Sequence, residues 1–274
     1  MNAQNGMREF FHHELCMGTA FKFSGRTPFD PAKTETLVRQ ACAILHEADR
    51  TFSLYKPESP LSRLARGEAA VKDLPPAVSF IWDACEMCEK ITDGWFSAFT
   101  PEHTFDPSGI VKTWAAAAAA SHLVDHGLTD FTINAGGDVW ISDAASTESD
   151  WRVGLHKPVS IAAEDAGALA VVDLKGTPFR AVATSGSAER GLHIWNPKAP
   201  ERAAADELVQ VSVIARDLVT ADVWATAAFA MGHQAIDLIN RYNAKNPAGS
   251  IEALTIAPNG DMAATAGFSS LFAK

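Results

Sequence analysis

The stretch DLVTADVWATAAFAMG, residues 217–232, places a carboxylate, Asp222, and a hydroxyl, Thr226, four positions apart among alanines and large apolar side chains. In a helix that spacing stacks the two groups on one face, about one turn apart. Two readings follow. In the first, Thr220 caps the helix, Asp222 sits in its first turn where a carboxylate complements the dipole, and Thr226 bonds its own backbone. In the second, the two oxygens supply part of the octahedral shell of a hard cation such as Mg2+, with phosphate oxygens and water completing it.

Three more polar, Gly-punctuated stretches offer chemistry: FDPSGIVK (105–112), INAGGDVW (133–140) and ATSGSAERGLHIWNP (183–197). Each alone is compatible with a simple turn. The double glycine lets backbone pass close to something bulky, but it is not G-x-G-x-x-G, so the Rossmann route to a dinucleotide is missing. His193, in a segment that reads as a strand ending at Pro197, is either a packed, hydrogen-bonded residue or a general base. A hydrolase using His193 and Ser185 is disfavoured, because no stretch gives G-x-S-x-G.

The elements that must position these groups are those of an ordinary globular chain. Of 274 residues, 47% are hydrophobic and 20% charged, and the length suffices for one large domain or two lobes around a core. The net charge is -10 with scattered basic residues, which argues against nucleic acid as a partner. An anionic ligand then needs helix N-termini, isolated Lys or Arg side chains, or a metal ion to offset repulsion. Four cysteines, Cys16, Cys42, Cys85 and Cys88, are too few and irregular for a disulfide framework, and the Cys85/Cys88 pair, with no second pair to complete a zinc site, reads as helix packing. The N-terminus shows no secretory pattern and the longest apolar run is too short to span a bilayer, so a cytoplasmic protein without a membrane anchor is expected.

Along the chain, residues 6–25 read as strands, and Pro31 opens a helix through residue 52. A helix begun by prolines follows and is stopped by Gly94; an Ala-rich helix after FDPSGIVK is closed by Gly127. Short alternating segments then read as strands, before the 217–232 helix, one further helix and two final strands. Helix-rich first and strand-rich later favours α+β, as one domain over 1–274 with two closely packed lobes.

Taken in order, the motifs resemble the ApbE-type FAD:protein FMN transferases: MGT at 17–19, ADRTFSLYKPESPLSRL at 48–64, TDGWF at 92–96, DPSGIVK at 106–112, NAGGD at 134–138, ATSGSAERGLHIWNP at 183–197 and TADVWATAAFAMG at 220–232. The resemblance implies a T-fold-like α+β architecture, a mixed β-sheet with packed helices. It further implies an enzyme that splits the pyrophosphate of FAD and moves FMN onto a Thr or Ser hydroxyl of a target flavoprotein, releasing AMP. By the same resemblance, Asp222, Thr226 and the backbone carbonyl of Gly109 are expected to hold Mg2+. Met17, Leu54, Tyr55, Trp95, Phe96, Ser97, Lys112 and Trp195 are expected to line the FAD site, and His193 to act as the base.

Three positions depart from the family pattern. Thr113 follows Lys112 where relatives often read Gly, which puts a β-branched side chain where backbone is expected to approach the nucleotide. Ala117 stands where an acidic residue is frequent, and Ser97 replaces Asp in TDGWF-S. These leave two further readings open: a Mg-dependent FAD pyrophosphatase, with water replacing the acceptor, and a flavin-binding protein without turnover.

Overall fold

The structure, a computed structural model, describes residues 6–143, 145, 151–158, 167–186, 194–199 and 207–273. The chain enters as a hairpin, β1 (Arg8–Cys16) and β2 (Thr19–Thr27), closed by Met17 and Gly18, both at positive φ (51° and 68°). Such a two-residue turn matches the twist of the flanking strands. Asp30 then caps α1 (Pro31–Phe52), its side chain accepting from Lys33 N at 2.9 Å with Pro31 at the first helical position. Helices α2 (Pro60–Ala65), α3 (Pro76–Ile91) and α4 (Ser108–Asp125) follow.

The remaining elements are β3 (Asp130–Ala135), β4 (Asp138–Ile141), β5 (Arg152–His156), β6 (Ala168–Asp173), β7 (Ala181–Gly186), β8 (Gln210–Ala215), α5 (Leu218–Met231), α6 (Ala235–Lys245), β9 (Glu252–Ile256) and β10 (Met262–Ala264). Eight strands make one sheet in the order β1-β2-β3-β4-β7-β8-β9-β10, and every pairing in it is antiparallel; β5 and β6 form a separate antiparallel pair. The architecture is the expected α+β one, with the large sheet antiparallel throughout rather than mixed.

Strand β8 is buried along its whole length because the sheet is covered on both faces. Val211, Val213 and Ala215 join the large core shared with α1, α4 and α5, whereas Ile214 joins a smaller core with Val153, Leu155, Phe179 and Phe268. The period-2 alternation of a strand sorts the residues between these two cores. Helix α5 lies inside the larger one, so it is apolar nearly all round, as a buried helix must be.

Two local expectations are corrected. Asp217, not Thr220, caps α5: its carboxylate accepts from Thr220 N at 2.8 Å. The helix therefore starts earlier and Asp222 falls in its second turn, beyond the reach of the dipole, which fades within the first. The segment at Ile194–Asn196 is not a strand; the Asn196 side chain instead accepts from the backbone N–H groups of Lys198 and Ala199, an Asx turn that bends the chain at Pro197. Among the described residues, no helix is long and apolar enough to cross a membrane.

Candidate active site

The first turn of α4, the β3–β4 turn, the ends of β5 and β7, the segment around Trp195 and the middle of α5 surround one cavity of about 380 Å³, within the range typical of small-molecule sites. Its floor is a chain of charged and hydroxyl groups. Lys112, on α4, pairs with Asp138 at the start of β4 and lies 3.8 Å from Asp222. Asp138 accepts from Thr184 N at 2.9 Å with its other oxygen, and Asp222 accepts from the Thr113 hydroxyl at 3.0 Å. Asp222 and Asp138 are both buried. A buried carboxylate persists only when paired and hydrogen-bonded, and here the Lys112 ammonium lies near both.

One turn beyond Asp222, the Thr226 hydroxyl lies 3.4 Å from that of Ser185 on β7. Asp222, Thr226 and Ser185 all face the cavity. Carboxylate and hydroxyl oxygens with no sulfur or imidazole among them form a hard donor set, which fits Mg2+ in preference to a soft metal. Gly109 lines the same cavity from the first turn of α4. Its carbonyl would be a further oxygen donor for such a cation. A Cβ at Gly109 would sit 3.2 Å from the Phe96 ring, so the missing side chain lets Phe96 pack beneath the helix start.

The β3–β4 turn forms another wall. Gly136 and Gly137 have φ of 63° and 104°, and Gly137 N donates to the Asn134 side chain at 2.8 Å. A Cβ on Gly136 would come within 2.3 Å of the Thr19 hydroxyl oxygen. The two glycines therefore satisfy a backbone requirement and a close approach at once, and the MGT hairpin serves as the surface against which the cavity wall is pressed.

Of the residues singled out in the sequence, Trp95, Phe96, Ser97, Gly109, Lys112, Trp195, Asp222 and Thr226 come together around this cavity. His193 lies outside the described residues, although Ile194 and Trp195, which follow it, line the cavity. Met17, Leu54 and Tyr55 are not among its walls. Met17 occupies the β1–β2 turn, Leu54 packs on the large core, and Tyr55 is 97% exposed. The reason is local: the Ser59 and Ser62 hydroxyls both bond the Ser53 carbonyl, and Ser53 Oγ accepts from Tyr55 N, which ties that loop along α1.

Thr113 departs from expectation in the opposite sense. It is fully buried, absent from the cavity wall, and directed at Asp222 rather than at any nucleotide. Ser185, weighed in the sequence only as a hydrolase nucleophile, lines the site, as do the β5 end residues His156 and Lys157, which were not singled out; nor was Asp138, which supports the site from beneath through Lys112. The NAGGD motif contained Asp138, and a His-Lys pair closing a short strand offered a signal for the other two. Gln210 anchors that strand end, donating to the His156 carbonyl at 3.1 Å.

Comparison with known proteins places this geometry. Three solved structures share the fold: the ApbE protein of Thermotoga maritima (TM-score 0.79, 18% identity, 97% of this chain and 100% of that one), the flavinyl transferase ApbE of Pseudomonas stutzeri in its apo form (0.76, 20%, 97% of each) and the flavin transferase ApbE of Vibrio cholerae (0.75, 20%, 97% and 99%). A curated relative, the FAD:protein FMN transferase of Vibrio cholerae serotype O1, is 26% identical over 142 residues, 49% of this chain but only 40% of the relative's length. The ApbE family model matches residues 98–248, a span that contains α4, the Gly136–Gly137 turn and the Asp222–Thr226 pair. With more than half of the sequence inside that match and the cavity built largely from it, the chain belongs to the ApbE family.

Proposed function

We propose that this chain is an enzyme that transfers FMN from FAD to a Thr or Ser hydroxyl of a target flavoprotein and releases AMP, with Mg2+ held by Asp222, Thr226 and the Gly109 carbonyl. The observation that carries the proposal is the convergence of a buried carboxylate, two hydroxyls and a lysine on one cavity whose other walls include Trp95, Phe96 and Trp195. The Vibrio cholerae relative, an FAD:protein FMN transferase, supports the same reading.

When bound, the cation would neutralise charge on the pyrophosphate and the departing AMP. The chain's own groups do the rest. Lys112 holds Asp138 and Asp222 in place and contributes a fixed positive charge to the cavity. The indoles of Trp95 and Trp195 present flat apolar faces suited to stacking an adenine or isoalloxazine ring. His193, two residues before Trp195, would take the proton of the acceptor hydroxyl as it attacks phosphorus. A cytoplasmic setting belongs to the same proposal, since all four cysteines are buried free thiols.

The test is incubation with FAD, Mg2+ and an acceptor carrying an Asp-x-x-Ser/Thr-Gly-Ala-Thr segment, followed by mass spectrometry. An FMN increment on the acceptor, lost in Asp222→Ala and His193→Ala, is expected. AMP released at an equal rate without acceptor would assign the chain as an FAD pyrophosphatase. Intact, tightly held FAD after Mg2+ addition would assign it as a flavin-binding protein.

A further inference from the structure

The edge hairpin and α1 meet at a second cluster, none of whose side chains lines the cavity. Strand alternation turns His12, Glu14 and Cys16 toward α1 while Phe11, His13 and Leu15 face outward. On α1, Cys42 and His46 are four apart and so share a face. A carboxylate, two imidazoles and two thiols therefore converge. His12 Nε2 lies 3.0 Å from one oxygen of Glu14, and His46 Nε2 lies 2.7 Å from the other; Cys16 Sγ is 3.5 Å from His46 Nδ1.

We propose that His12, Glu14 and Cys42 bind a Zn2+ ion that fastens the edge strand β1 to α1. One ligand atom from each of the three lies within 4.8 Å of the other two. In a tetrahedral zinc site, bond lengths near 2.0 Å to nitrogen and oxygen and 2.3 Å to sulfur separate ligands by about 3.3–3.6 Å, so side-chain adjustment alone closes the site. The donor set selects the metal. A thiolate with an imidazole suits a borderline-soft ion and disfavours Mg2+ or Ca2+.

Charge balance points the same way. Zn2+ displaces the proton of the Cys42 thiol to solvent, and thiolate plus Glu14 carboxylate then neutralise the ion. His46, on the second oxygen of Glu14, holds that carboxylate in orientation, and such outer partners fix the geometry of metal ligands. The partly exposed His12 leaves an entry path from solvent and room for a water in the fourth position.

The test uses the reduced, metal-stripped full chain titrated with Co2+ and then Zn2+. Wild type is expected to show a thiolate-to-cobalt charge-transfer band saturating at one equivalent, which Zn2+ bleaches. Cys42→Ser should remove the band, His12→Ala and Glu14→Gln should each weaken it, and His46→Ala should lower affinity about ten- to a hundredfold. Cys85→Ser with Cys88→Ser should change nothing. The proposal is overturned if folded wild type gives no band at saturating Co2+, if the band survives Cys42→Ser, or if it vanishes only in the Cys85/Cys88 double variant. Should Cys42→Ser fail to fold, His12→Ala, on the partly exposed edge strand, decides the matter: an unchanged affinity there rejects the site.

Discussion

Replacing Thr113 by Val separates two roles for the residue that follows Lys112. The side chain is fully buried and its hydroxyl donates to Asp222 Oδ2 at 3.0 Å while also lying 3.2 Å from the Ile110 carbonyl. Val keeps the shape and removes the donor. A hydrogen bond to a buried charged group contributes about 1.5–3 kcal/mol, so Thr113→Val should lose that much stability. With an unfolding entropy near 2.1 cal/mol/K per residue, the corresponding drop in melting temperature is about 3–5 °C for a chain of this length. Because the lost bond orients a carboxylate proposed to hold Mg2+, the Mg2+ concentration for half-maximal FMN transfer should rise, while FAD affinity without metal stays unchanged. Thr113→Gly supplies the contrast. If Thr113 crowded the nucleotide, Gly would tighten FAD binding; directed at Asp222, it should only destabilise, by the lost hydrogen bond plus about 1 kcal/mol of helix propensity. Calorimetric melts and FAD titrations on both variants measure this. A Thr113→Val protein that melts with wild type and needs no more Mg2+, or a Thr113→Gly protein that binds FAD more tightly, would refute the reasoning.

Lys112→Met should leave Asp138 and Asp222 buried without their shared cation and destabilise the fold by about 3–5 kcal/mol, visible as a lowered denaturation midpoint; adding Asp138→Asn should recover part of that loss. Gly136→Ala, which forces φ of 63° on a side chain meeting Thr19 at 2.3 Å, should cost about 1–3 kcal/mol from the backbone alone, and Thr19→Ala should relieve only the steric remainder in a double-mutant comparison. Burial pushes the Cys85 thiol up to about 12 and the Cys88 thiol up to about 11. Native alkylation of either at pH 8 should therefore be about a thousandfold or more slower than of an exposed thiolate. Since the folded state keeps protons that the unfolded chain releases, their contribution to stability is complete below the ordinary thiol value of 9.0 and declines as pH rises above it, which alkaline melts of the Cys85→Ser, Cys88→Ser variant should show as a flattened slope.

Helix positions were legible where caps and breakers announce them. Pro31 after Asp30 and the positive-φ Gly94 and Gly127 delimit elements through backbone rules that operate within a few residues. The start of α5 is not legible, because Asp217 and Thr220 are both competent caps and only the folded geometry has Asp217 accepting from Thr220 N. Asp222 and Thr226 were legible as a pair because helical spacing is a local property. Their partners were not. Thr113 reaches Asp222 across 109 positions and Lys112 reaches Asp138 across 26, and nothing in either local pattern encodes those encounters. The same limit applies to β5, whose end residues His156 and Lys157 line the cavity where Gln210 bonds the His156 carbonyl and Val153 and Leu155 pack with Ile214 of β8.

The floor of the cavity explains why such long-range partners are needed. Within an acidic chain, Asp138, Asp222 and Lys112 together carry one net negative charge at full ionisation, beside a site that would receive an anionic diphosphate. Removing Lys112 would double that negative charge, and removing Asp222 would let Lys112 pair with Asp138 alone. On the proposed reading a cation at Asp222 would offset that charge, at a carboxylate that is already buried and already hydrogen-bonded to Thr113. It follows that Asp222→Asn should raise FAD affinity in the absence of Mg2+, by lowering repulsion, while abolishing the gain that Mg2+ confers. Isothermal titrations of FAD with and without Mg2+ read both effects, and an Asp222→Asn protein that still shows the full Mg2+-linked gain would place the cation elsewhere.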